Sequence, residues 1–289
     1  MKEKTKLINK VKRLIKRAGI PRWLHRFGPK KYEFWHHAVA YLLKQVCKLS
    51  YRGISWLLRQ FNMKAPCPSA LCTSFKKVPQ HIWEKLLSLT TGAKPYIVAI
   101  DGSGLSRRLP SPYYTYRIDR PYPVEVPLKL SIAVDTRTKK ILALRLRMRP
   151  AHDVKDVKYI LRRLKKRPKK LVADKGYDAE WIHRLCQGLS IQAVIPIRDY
   201  GKKRRHQKNS LRNKASKVFC TRTYHRREIV ESVFSAIKRK FGASVSSLSA
   251  RTMRAEIYCR AIAHNIICFL FGLFERSPRL RLCSKSKDL

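Results

Sequence analysis

The sequence predicts an α/β fold, a mixed sheet flanked by helices and preceded by an all-α N-terminal region. Up to residue 92 apolar residues recur at helical spacing, while beyond it short apolar runs of strand length alternate with helical stretches. The acids follow the same division. Between Phe34 and Ile100 only Glu84 is acidic, whereas thirteen of the eighteen acids lie between Asp101 and Glu256. At 289 residues with 44% hydrophobic content, the chain is long enough to bury a substantial core. The expected domains are a helical region over 1–92 and an α/β domain over 93–289.

In the first region, Tyr32–Cys47 places Phe34, Trp35, Ala38, Tyr41, Leu42 and Val46 close to helical period. A second helix is expected over Ser50–Phe61, with Ser50 as its N-cap. The segment from Asn62 to Pro68 breaks it, and a short helix resumes over Ser69–Val78. Two short helices across a tight connection, about 50–78, predict a helix-turn-helix-like unit whose second helix would enter a major groove. An ordinary helical hairpin has the same pattern. Trp35, Trp56, Trp83 and Trp181 fall on expected core faces.

After Gly92, Tyr96–Ile100 reads as a buried strand ending at Asp101. Leu128–Val134 and Ile141–Met148 follow as strands joined by a hairpin-length turn. Asp153–Leu164 is a helix capped by Asp153, and Leu171–Ala173 is a strand ending at Asp174. Asp178–Leu189 is the next helix, with Asp178 as N-cap, and Ile191–Ile197 the last strand. A basic insertion over 199–227 carries eleven Lys/Arg against one acid, before closing helices over Glu228–Phe241 and Arg251–Phe274. The order β-β-β-α-β-α-β-α, with three antiparallel-capable strands first, is that of an RNase H-like sheet.

Charge narrows the partners. With 66 Lys+Arg against 18 Asp+Glu, the formal net charge is +48, which repels itself unless a polyanion is near. The hydrophobic content excludes a disordered basic tail, and the modest Gly and Pro exclude a collagen-like chain. Nucleic acid is the expected partner. The basic runs at the N-terminus, Lys165–Lys170 and Lys202–Arg205 suit phosphate neutralisation and predict binding that weakens steeply with salt. Eight scattered cysteines suit reduced intracellular thiols; Cys67 and Cys72 lack the second close pair a zinc site needs. The longest apolar stretch, Ile266–Phe274, is too short for a bilayer, and no signal-peptide run follows the basic N-terminus. A cytoplasmic protein without a membrane partner is expected.

Asp101 and Asp174 each end an apolar strand and are followed within two residues by Gly. On neighbouring strands, two such carboxylates would converge at one sheet edge, although Asp-Gly is also turn chemistry. On the Glu228–Phe241 helix, Val230, Val233, Phe234, Ile237 and Phe241 form the apolar face. Relative to Glu231, residues Tyr224, Arg227 and Lys238 sit at about +20°, −40° and −20° if the helix reaches back to Tyr224. Glu228 is a rival acid about 60° away, and spacing alone does not choose between the two. Asp153 and Asp156 read as helix-start acids, and His152, His183 and His206 as surface or loop histidines. Ser103 and Gly104 shape a turn; no Gly-x4-Gly-Lys phosphate loop is present.

The pattern Tyr224-x2-Arg227-x3-Glu231-x6-Lys238 resembles the Tyr-Arg-Glu-Lys motif of bacterial and archaeal insertion-sequence transposases of the DDE class. Val98-Ala-Ile-Asp101-Gly-Ser and Val172-Ala-Asp174-Lys-Gly-Tyr177-Asp178 resemble the blocks around that family's first two aspartates, and the resemblance spans about 97–270. One departure is the modest segment before the Glu231 helix, where some members carry a large β insertion. The resemblance implies that Asp101, Asp174 and Glu231 are catalytic and hold two Mg²⁺ ions, with Mn²⁺ able to substitute, as an all-carboxylate set suits such hard cations. It implies that Tyr224, Arg227 and Lys238 contact DNA. It also implies cleavage at the ends of an element, joining of 3′-hydroxyls to target DNA, double-stranded DNA as partner through terminal repeats and target, and a dimer on DNA in a prokaryotic, nucleoid-associated setting. The alternatives are a catalytically inactive DNA-binding protein, decayed or co-opted, and an RNase H-like nuclease without strand transfer.

Overall fold

The computed structural model describes residues 2–23, 27, 30–107, 117, 126–198 and 210–274. The basic run Lys202–Arg205, His206 and Cys283 lie outside the described residues.

The N-terminal region forms α1 (Lys2–Arg17), α2 (Phe34–Cys47), α3 (Tyr51–Gln60), α4 (Pro68–Lys77) and α5 (Gln80–Thr90). The first of these reads in the sequence only as a basic run, yet it is amphipathic. Val11, Leu14 and Ile15 are buried where α1 meets α2 and α5. Lys48 ends α2 in the left-handed region at φ 53°. Ser50 caps α3 as expected, its Oγ accepting the Gly53 N–H at 3.1 Å. Pro68 opens α4, where a missing N–H costs nothing. Leu71 and Phe75 anchor α4 against Tyr41 and Trp83, leaving Ser69, Thr73, Lys76 and Lys77 outward. Trp56 is not a core residue. It is 62% exposed, because α3 buries the stripe Ile54, Ser55 and Leu58 and turns Trp56 outward between Arg52 and Arg59. Trp181 is likewise turned out, its neighbour Ile182 taking the buried position.

The sheet contains β1 (Ile97–Arg107), β2 (Val126–Asp135), β3 (Ile141–Arg147), β4 (Lys170–Ala173), β5 (Gln192–Val194) and a short β6 (Ser244–Val245). Its order is β3-β2-β1-β4-β5, with β6 against the far end of β1. The β1–β2 and β2–β3 pairs are antiparallel; β4 joins β1 and β5 joins β4 in parallel. This is the RNase H-like mixed sheet the element order predicts. Two strand boundaries differ from expectation. β1 does not stop at Asp101 but runs on to Arg107, because β2 keeps pairing with it to Arg107↔Val126. β5 is shorter than Ile191–Ile197, as Pro196 has no N–H to extend a ladder.

The remaining helices are α6 (Val154–Arg163), α7 (Glu180–Gly188), α8 (Leu211–Lys217), α9 (Thr221–Tyr224), α10 (Glu228–Phe241) and α11 (Ala250–Phe274), with 3₁₀ turns at Lys175–Tyr177 and His225–Arg227. One face of the sheet packs α6 and α7 through Val98, Ile100, Leu171 and Ala173. The other face packs α10 and α11 in a cluster that continues into the N-terminal helices. Asn265 of α11 is a buried joint in that layer. Its side chain accepts the Ile141 N–H and donates to the Ile141 carbonyl and to Thr90 Oγ1, each at 2.8 Å. Among the described residues no helix is long and apolar enough to cross a membrane. Cys47, Cys67, Cys72, Cys186, Cys220, Cys259 and Cys268 are all free thiols.

Candidate active site

The last parallel pair of β1 and β4 is Ile100↔Ala173. Asp101 and Asp174 are therefore the next residues on two adjacent strands, which run about 4.8 Å apart. Ile100 and Ala173 face α6 and α7, so strand alternation turns the two aspartates toward the layer that holds α10. Oδ1 of Asp101 accepts the Gly102 N–H at 2.8 Å. Burial holds the Asp101 carboxyl above its usual range, and the neighbouring carboxylates of Asp153 and Asp174 push the same way, against the Gly102 N–H and Arg227.

The third acid comes from α10. Tyr224, Arg227 and Glu228 all keep right-handed helical dihedrals, so the chain stays helical from Thr221 to Phe241. Tyr224, Arg227, Glu231 and Lys238 thus share one stripe. Nη1 of Arg227 donates to Glu231 Oε1 at 2.6 Å, and the Tyr224 hydroxyl donates to Asp174 Oδ1 at 3.3 Å. The Arg227 guanidinium also lies within the electrostatic reach of Asp174 and Asp101. Lys238 lines an open cleft of about 360 Å³ together with Asp101, Gly102, Ser103 and Glu231. Glu228 is turned away, exposed and paired with His225 at 3.3 Å.

Several residues at the site escape sequence reasoning. Asp153 makes no cap hydrogen bond. It pairs with Lys129 at 2.6 Å and lies so close to Gly102 that a Cβ there would fall 2.4 Å from its Oδ1. Only the Gly after Asp101 hints at this close approach. Tyr177 is buried within electrostatic reach of Asp101, Asp153, Asp156 and Asp174, its hydroxyl without a hydrogen-bond partner among the described residues. Asp156 stands in the first turn of α6, as expected, but it is buried against Ser131, Arg145 and Arg147.

Asp178 is not a cap, because Ala179 takes that position in α7. Asp178 instead accepts from the Arg198 N–H at 2.7 Å, from His183 at 3.3 Å and from Arg212. Against burial, which raises it, these donors hold its carboxyl at about 2. His183 is accordingly a buried residue and not a surface histidine. His152 is exposed, as expected.

Residues 92–266, more than half of the chain, match the family model of the transposase DDE domain. The chain belongs to this family. Membership supports a DNA transposase, a metal-dependent DNA-cutting enzyme, and implies use of a divalent cation. A solved piggyBac transposase synaptic complex with hairpin DNA is similar to this transposase over 94% of this chain and 73% of that one, at 8% sequence identity and a TM-score of 0.46.

The site fits a divalent cation by its donor chemistry. The acids offer only carboxylate oxygens, Asp101 is held above its usual range by burial and then by neighbouring carboxylates, and the orphaned Tyr177 hydroxyl sits within reach of them. Among the described residues no three His, Cys, Asp or Glu side chains stand close enough to hold one ion together. Glu231 is engaged by Arg227.

Proposed function

We propose that this transposase cleaves the ends of its insertion sequence and joins the freed 3′-hydroxyls to target DNA, with Asp101, Asp174 and Glu231 as catalytic metal ligands. The observation that carries the reading is the Ile100↔Ala173 register, which sets two carboxylates side by side facing the helix that bears the third. Bound at this set, a pair of Mg²⁺ ions, or Mn²⁺ in their place, supplies Lewis-acid stabilisation of the attacking and leaving oxygens of an in-line displacement.

The protein's own groups do the rest. Asp101 is held rigidly by β1, paired on one side along its length, and by its Gly102 N–H bond. Tyr224 fixes the orientation of Asp174 and presents a ring beside the strand end. Arg227, released from Glu231, and Lys238 hold phosphates flanking the scissile bond, as cations beside metal-binding acids keep a polyanion in register. The outward face of α4, with Ser69, Thr73, Lys76 and Lys77, suits a groove of duplex DNA, so that 1–92 binds DNA and the remainder cuts it. Two element ends handled together call for a dimer on DNA.

The test is a plasmid carrying the gene with its native flanks, incubated with wild type or Asp174→Asn, with Mg²⁺ or EDTA, and mapped for 3′ ends and joints. We expect metal-dependent cuts at discrete flanking ends and joined products, both lost in the variant. Cuts without joints would reduce the enzyme to a nuclease. Binding without cuts by wild type would leave a non-catalytic DNA-binding protein.

A further inference from the structure

A second basic site lies at the free edge of the sheet. β3 is the terminal strand, and around its outer edge opens a pocket of about 540 Å³. Arg145, Arg147 and Arg149 come from β3 and its extension, Tyr159 and Arg163 from α6, and Arg254 from α11. Helices from the two opposite layers of the sheet therefore meet here. None of Asp101, Asp174, Glu231, Tyr224, Arg227 or Lys238 lines this pocket.

Three of its guanidiniums are preorganised. Asp156 is fully buried, fixed by the Ser131 hydroxyl at 2.7 Å, and receives Arg147 Nε at 2.6 Å and Arg145 Nη1 at 3.2 Å. Arg163 Nε is fixed by Glu84 at 2.9 Å. The Tyr159 ring takes the Arg163 guanidinium at 3.7 Å and that of Arg145 at 4.4 Å. Arg149 and Arg254 make no hydrogen bond or ion pair among the described residues. Five guanidiniums thus stand against two carboxylates, which anchor three of them, so the pocket keeps a surplus of positive charge.

Charged residues on an edge strand commonly serve only to block pairing with another sheet. That task needs charges pointing outward. It does not need arginines converging on a concavity, anchored by a carboxylate taken wholly out of water. Planar guanidinium forks held in place match the oxygens of a phosphate, and this favours an anionic ligand with several phosphate oxygens.

We propose that this pocket binds backbone phosphates of DNA outside the cleavage cleft. The connection to the cleft is short. Pro150 and Ala151 line the pocket, the Ala151 carbonyl accepts from Lys129, and Lys129 pairs with Asp153 beside Gly102. A strand seated in the pocket is therefore registered against the chain segment that borders Asp101. The inference rests on DNA being the substrate, as proposed above, and not on the assignment of the carboxylates.

The test is duplex binding by the full chain, read by fluorescence anisotropy in EDTA over a salt series, so that no cleavage intervenes. Arg149→Gln/Arg254→Gln is compared with Arg162→Gln/Arg184→Gln, which removes equal charge from exposed positions on α6 and α7. We expect the pocket pair to weaken binding about tenfold and to flatten the log–log salt slope by about two, as loss of two phosphate contacts requires, with less than about a twofold change for the control pair. Equal effects of the two pairs would overturn the proposal. Melting curves check folding, and the exposed single change Arg149→Gln gives the same reading at smaller amplitude should the double variant unfold.

Free phosphate is the other source of the same chemistry. If inorganic pyrophosphate raised the melting temperature of wild type but not of the pocket pair, while duplex affinity stayed equal, the assignment to DNA would be overturned. Retained pocket-dependent binding with no cleavage in the plasmid assay would remove the catalytic reading and leave this one standing.

Discussion

Asp156, Asp178 and Glu256 are buried and saturated with donors, whereas Asp101 and Glu231 border an open cleft, Asp174 stands beside Asp101, and all three acids lie within reach of the Arg227 guanidinium. Glu256 accepts from the Ser246 and Ser247 N–H groups and from Arg260 at 2.6 Å. Asp178 has Arg212, His183 and the Arg198 N–H. Arg227 is paired with Glu231 and felt by both aspartates, while Lys238 lines the cleft without a hydrogen bond or ion pair to any of the three acids among the described residues. In a chain with 66 Lys and Arg, cations are abundant, so carboxylates left under-neutralised are the exception. Internally satisfied acids hold the fold together. The under-satisfied ones are available to a cation from outside.

The largest expected effect separates these two groups directly. Asp101→Asn should lower the rate of DNA cleavage by about 10³-fold or more, the loss of several kcal/mol of metal-assisted stabilisation. It should not lower thermal stability. Burial and two like charges raise the Asp101 carboxyl, so its ionised form is unfavourable in the folded state above that raised value, and an amide relieves this. Arg260→Met should do the reverse. It strands the buried Glu256 carboxylate and frees the Gly242 and Ser244 carbonyls, at a cost of about 3–5 kcal/mol. Differential scanning calorimetry and a cleavage assay on both variants check this. Equal destabilisation by Asp101→Asn would erase the distinction.

Only part of this contrast is legible in the sequence. The range of α10 is, because Val230, Val233, Phe234, Ile237 and Phe241 keep helical period until Gly242 stops it at φ +90°. Asp101 and Asp174 are visible as acids that follow apolar runs. Their adjacency is not, since it depends on a parallel pairing between strands some seventy residues apart. The role of Asp178 is hidden for the same reason. Arg212 reaches it across 34 residues of sequence, while the local pattern, an acid just before a helix, imitates an N-cap. Asp153 resembles a cap equally well, and only its pair with Lys129 of β2 shows that it lies beside Gly102. Charge conceals α1, whose apolar stripe is narrow against its lysines.

A second, smaller effect sharpens the comparison through pH. The Asp178 carboxyl sits at about 2 in the folded chain against an ordinary value of 3.8. A depressed carboxylate contributes stability that is fully present above its unfolded value and is lost as pH falls through the folded one. The difference corresponds to about 2 kcal/mol. Chemical denaturation of wild type and Asp178→Asn should therefore differ by about this much at pH 6 and converge between pH 4 and about 2. Asp101 has the opposite sign, so Asp101→Asn should show no such loss as pH falls. A constant gap between wild type and Asp178→Asn across the range would mean that packing, and not charge pairing, is what Asp178 supplies.

The smallest effect concerns Gly102, where Asp153 comes up against the strand that carries Asp101. A Cβ there would meet Asp153 Oδ1 at 2.4 Å and Lys129 Cε at 3.2 Å. The Asp153 side chain is 43% exposed and has room to swing aside, which breaks its pair with Lys129. Gly102→Ala should therefore cost about 1 kcal/mol of stability, at the low end for overpacking, and slow cleavage about fivefold as the loop beside Asp101 shifts. Combining it with Asp153→Ser removes the collision. In that double variant the stability deficit of Gly102→Ala should disappear, giving a coupling of about 1 kcal/mol between neighbours. Cleavage should stay slow, because the charge of Asp153 beside Asp101 is lost as well. Full recovery of both would show that Asp153 only occupies space next to the cleft and takes no part in its electrostatics.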